Sequence, residues 1–63
     1  MEMDILENKE KEVLEWIEKN YDLTSIDIID YTMPNSKIIR TREAKEYIIY
    51  WDFVKNQITQ SDF

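Results

Sequence analysis

The sequence predicts a small α+β domain in the order helix, hairpin, helix (α-β-β-α). Three observations carry that prediction. Apolar residues recur at helical spacing from Leu6 to Tyr21, and a β-branched and aromatic stretch from Ser25 to Arg40 is interrupted by Met33-Pro34-Asn35-Ser36. After it, Thr41-Arg42-Glu43-Ala44-Lys45-Glu46 has the capping residue and the propensity of a helix start.

In the first element, Leu6, Val13, Leu14, Ile17 and Tyr21 form the apolar stripe, and Asp4 with Glu7 has capping-box spacing. A helix over about 5–20 is expected, supported by the i,i+4 pairs Glu7 to Lys11 and Glu15 to Lys19 and stopped at Asn20. Glu10 interrupts the stripe, which suggests a first turn that frays or lies at an edge. Strands over about 25–33 and 37–41 follow, joined by a turn with Pro34 and Asn35 at its centre.

The segment Tyr47-Ile48-Ile49-Tyr50-Trp51 has the composition of a strand inside a helical frame. The helix reading, 42–58, rests on Thr41 as N-cap and on Glu43 and Glu46 at the positive end of the macrodipole. The competing reading is a third strand, giving one helix and a three-stranded antiparallel meander. It asks for a tight turn at 42–45 without Gly, Asn, Asp or Pro, and the helix is therefore preferred. On that helix Ala44, Tyr47, Ile48, Trp51, Val54 and Ile58 form one stripe and Ile49, Tyr50 and Phe53 a second on nearly the opposite side. A helix apolar on two sides shares one of them with a neighbour, so Ile49, Tyr50 and Phe53 are the expected interface of a homodimer.

At 63 residues the chain forms one domain, 1–63, with a core barely large enough to hold it folded. It has no Cys, which excludes disulfides and thiolate metal sites, and leaves self-association as a source of extra stability. Two Trp, four Tyr and two Phe exceed what so small a core needs, so some should serve an interface. The absence of Cys, of an apolar span of about 20 residues and of a basic N-terminal region points to a cytoplasmic protein with no membrane partner. Richness in Lys, Ile, Asn, Glu and Tyr without any Gly suggests an AT-rich bacterial, plasmid or phage genome, a compositional association only.

Chemistry is nearly absent. With no His, Cys or Gly, the chain cannot build a Ser-His or Cys-His pair, a His-based metal site or a Gly-rich phosphate loop, so neither enzyme activity nor a cofactor is expected. Asp27 and Asp30 point to opposite faces of a strand, and Glu12, Glu15 and Glu18 read as a solvated helix face more readily than as a hard-metal or acid/base site.

Charge is the more informative feature. Residues 1–30 hold ten acids against three lysines, within a net charge of −6. That surface disfavours nucleic acid and suits a basic protein surface, one form of such docking being imitation of DNA. Glu15, Glu18, Trp16 and Asp22 are the candidate partner-binding residues, although Trp16 also fits the edge of a core. Lys37, Arg40, Arg42 and Lys45 form a basic cluster whose plain reading is complementarity with the acidic half and whose alternative is a phosphate grip. The function expected from these features is a small acidic regulator or inhibitor, phage- or mobile-element-encoded, occupying a surface on a larger protein. The alternatives are a nucleic-acid-binding regulator and a structural subunit of an assembly.

Overall fold

A computed structural model describes residues 8–63. Helix α1 (Glu10–Asn20) is followed by a single 3-10 turn (Leu23–Ser25) and four strands, β1 (Ile26–Asp30), β2 (Ser36–Thr41), β3 (Glu46–Asp52) and β4 (Gln57–Asp62). The strands form one antiparallel sheet in the order β1-β2-β3-β4, with α1 across one face. The α+β class agrees with the sequence, but the order does not.

The helix expected over 42–58 is two strands and a turn, and the sheet has four strands where the competing reading had three. Two apolar stripes on opposite sides of a helix are equally the pattern of a strand covered on both faces. In β3 the alternation sends Tyr47, Ile49 and Trp51 toward α1 and Ile48 and Tyr50 to the other face. Ile49 is 0% exposed beneath the helix, so it cannot belong to a dimer interface. A helix would have left that side chain in water.

The turn that seemed hard to build is built at Ala44. Thr41 N–H donates to the Lys45 carbonyl at 2.9 Å and Ala44 N–H to the Thr41 carbonyl at 3.0 Å, closing a three-residue loop with Ala44 at φ 66°. Asn35 at φ 59° and Asn56 at φ 58° take the same left-handed region in the other two hairpins, where Asn is better suited. In the last, Asp52 Oδ1 accepts from Val54 N–H at 2.9 Å and Lys55 N–H at 3.1 Å, a side chain holding its own turn.

Helix α1 starts later than expected; residues 5–7, with the Asp4/Glu7 box and the Glu7 to Lys11 pair, lie outside the described residues. Its end at Asn20 agrees with the sequence. Glu10, read as a fraying point, is instead a fastening. It accepts from Asn35 N–H at 3.2 Å and from Lys37 Nζ at 3.2 Å, while Asn35 Oδ1 accepts from Lys9 N–H at 2.8 Å. The helix N-terminus is thereby tied to the β1–β2 loop.

Val13 and Ile17 of α1 meet Ile39 of β2 and Ile49 of β3, all four fully buried, with Trp16, Tyr21, Ile26, Tyr47, Trp51 and Ile58 around them. Burying each of the four is worth about 1.5–3 kcal/mol. On the other face, Ile38 sits in register between Ile29 and Ile48 and is only 5% exposed although no helix covers it. Curvature explains this. Tyr31 and Phe63, at the ends of strands that share no hydrogen bonds, meet edge to face at 5.3 Å, so the sheet curls and its outer face is concave.

Of the three described residues at positive φ, Ala44 is the one that is not Asn. A left-handed L-residue costs about 1–2 kcal/mol and added backbone freedom in the unfolded chain returns about 0.4–1, so Ala44→Gly should stabilise by about 0.5–1 kcal/mol. Urea unfolding checks it, and a destabilised variant would mean that Ala44 is not held at positive φ.

Candidate functional site

Three surface features lie outside this core. The first is the flank of α1 facing β3 and β4. At 100° per residue Glu12, Trp16 and Lys19 share that flank with Glu15 beside them, while Val13 and Ile17 face the sheet. Trp16, Trp51 and Ile58 floor a cleft of about 230 Å³ with Glu12, Glu15 and Lys19 at its rim. Glu12, Glu15 and Glu18 are exposed and make no ion pair among the described residues, so the expected Glu15 to Lys19 pair is not formed. Trp16 is half-buried, stacked obliquely on Tyr21 at 6.4 Å, which makes it a core-edge residue with one face toward the cleft.

Asp22 does not join this group. Its Oδ1 accepts from Thr24 Oγ1 at 2.8 Å and Thr24 N–H at 3.0 Å, starting the 3-10 turn, and these bonds, the hydroxyl's foremost, hold its carboxyl below the usual range.

The second feature is a wider apolar groove of about 530 Å³ where the β1–β2 loop meets the end of β3. Met33, Pro34, Ile48, Tyr50, Trp51 and Phe53 line it, with Asp52 at its edge. Tyr50 and Phe53 from the expected dimer interface are here together; Ile49 is not. Trp51 forms walls of both cleft and groove and carries Lys9 Nζ 4.6 Å above its ring. Reading 46–54 as a helix concealed this role, because only strand alternation places Tyr47, Ile49 and Trp51 on one face.

The third is the basic cluster, which the fold disperses. Lys37 lies on the helix side of β2, its side chain 14% exposed, bonded to Asp30 at 2.9 Å and Glu10 at 3.2 Å. Arg40 points to the opposite face and pairs with Glu46, its register partner, at 2.7 Å. Arg42 Nη2 donates to the Thr24 carbonyl at 3.2 Å, and Lys45 follows the turn, exposed. Arg40 and Arg42 do line one polar cleft, of about 240 Å³, with Thr24, Ser25 and Asp27.

Among the described residues no group of three or more His, Cys, Asp or Glu converges as a metal site, and no helix is long and apolar enough to cross a membrane. Comparison with protein-family models, with curated proteins and with solved structures finds no match for this chain.

The Lys37 cluster gives a signed pH dependence. The hydrogen bond to Asp30, then that to Glu10, raises the Lys37 ammonium above its ordinary 10.5 against the opposing effect of burial. A raised folded-state value stabilises the fold fully below the unfolded value and loses that contribution as pH rises through the folded one. Stability should therefore fall above about pH 10.5, and Lys37→Met should be less stable than the parent at neutral pH while losing less on the alkaline side. Urea midpoints of both proteins across that range test this; parallel curves would refute the linkage.

Proposed function

We propose that this chain is a non-enzymatic interaction protein, a regulator or inhibitor that docks on a basic surface of a larger protein through the β4-side flank of α1. The observation that supports this reading is the meeting of exposed Glu12 and Glu15, which make no ion pair among the described residues, with a floor of Trp16, Trp51 and Ile58. That pairing suits an Arg or Lys side chain: the aliphatic stem packs on the indoles, the cation faces the ring, and the head meets carboxylates. Glu18, one turn on from Glu15, extends the negative surface and adds steering during encounter.

The nucleic-acid alternative has weaker support. Lys37 and Arg40 are engaged by carboxylates and Arg42 by a backbone carbonyl, so a phosphate would have to compete for each.

Titration with a hexa-arginine peptide, followed by emission of Trp16 and Trp51, tests the docking flank. Binding should weaken as salt rises, and the double variant Glu12→Lys/Glu15→Lys should lose at least about tenfold in affinity with an unchanged circular dichroism spectrum. Trp16→Leu should weaken binding as well. Equal affinity in the charge-reversed protein would remove this flank as the docking site.

A further inference from the structure

The β3–β4 turn presents an apolar tip beside the apolar groove. Val54 is 95% exposed at the tip, while Phe53, 57% exposed, stands edge to face with Trp51 at 6.3 Å as a wall of the groove; neither holds the turn, which Asp52 and Asn56 maintain. Immediately next to the Val54 knob lies the groove of about 530 Å³ lined by Met33, Pro34, Ile48, Tyr50, Trp51 and Phe53. The charges follow the same division: Lys55 flanks the knob and Asp52 edges the groove.

We infer that the occupant of this groove is a second copy of the chain, each copy inserting Val54 into the other's groove, against the Phe53 wall, about a two-fold axis. A knob and a socket side by side on one patch are self-complementary under a two-fold rotation, which is the requirement of an isologous interface. The rotation also carries Lys55 of each copy toward Asp52 of the other, so the contact gains opposite charge at its rim although each chain is net negative. Aromatic and Met lining with few charges is the composition of an interface centre. A single tip and groove on each copy belongs at the small end of protein interfaces, below about 1,200 Å², the class of weak and transient associations. It lies at the hairpin-loop end of the sheet and does not depend on the docking role of Glu12 and Glu15.

Sedimentation equilibrium of the full chain from about 1 μM to about 1 mM should show monomers passing to dimers, with a thermal midpoint that rises over the same range. Val54→Asp should raise the dimer dissociation constant at least about tenfold, and, because Val54 packs against nothing, leave the monomer's circular dichroism unchanged. Lys55→Glu should weaken the dimer more at low salt than at high salt. Phe53→Asp gives a second, stronger break, and Glu12→Lys none. A chain that stays monomeric throughout that range overturns the proposal and assigns the groove to another protein; a dimer unaffected by Val54→Asp overturns it by placing the contact elsewhere, the open edges of β1 and β4 included.

Discussion

The contact of Val13 and Ile17 with Ile39 and Ile49 is the interaction on which the rest of the structure depends. A domain this small has room for one closed cluster, and these four residues supply it from one helix and the two central strands. Their burial fixes the register of β3 against β2, because a slip by one residue would turn Ile49 outward and bring Ile48 or Tyr50 beneath the helix. It also fixes which flank of α1 remains open. With Val13 and Ile17 committed to the sheet, Glu12 and Glu15 fall at the β4 side beside Trp51, and Leu14 falls at the β1 side, where it is partly exposed.

The helix covers the centre of the sheet and leaves the outer face to other means. There the Ile29, Ile38 and Ile48 row is protected by curvature, closed at one diagonal by the Tyr31 and Phe63 contact and open at the other end as the Met33 to Phe53 groove. Three hairpins without a single glycine make that sheet. Asn supplies the left-handed residue at 35 and 56, and Ala44 supplies it at some cost, which the cross-strand Arg40 and Glu46 pair beside the turn partly offsets.

Much of the first half was legible because its signals agree with one another. The period of Val13 and Ile17, the stop at Asn20 and the Pro34-Asn35 turn each pointed to the element that formed. The second half was misread where local and non-local forces oppose. Arg42 to Glu46 has helix propensity worth a few tenths of a kcal/mol per residue, whereas the sheet covers Ile49 and shelters Ile38 and Ile48, each worth more. The absence of Gly, Asn, Asp or Pro makes a tight turn at 42–45 hard to build, and a left-handed Ala meets that difficulty at a cost of about 1–2 kcal/mol. The cleft is half legible: of the expected docking residues Glu15 and Trp16 line it, Glu18 and Asp22 do not, Glu12 joins it unforeseen, and Trp51 and Ile58 become its floor only once β3 and β4 are strands.

The fate of the charges decides what the surface expresses. In sequence the chain is dipolar, with acids concentrated before residue 31 and four bases gathered between 37 and 45. Folding consumes much of the basic side, since Lys37 is held between Glu10 and Asp30, Arg40 lies against Glu46, and Arg42 is bonded to the Thr24 carbonyl. Beyond Glu10, the acids of α1 make no ion pair among the described residues, so the negative charge is expressed most openly along the rest of the helix. The physical reason is topological: β1 and β2 are hydrogen-bonded neighbours, and the helix N-terminus is fastened to their loop, which brings bases to Glu10 and Asp30 but leaves Glu12, Glu15 and Glu18 facing away. An unspent run of carboxylates beside two indoles is what remains for another molecule to recognise.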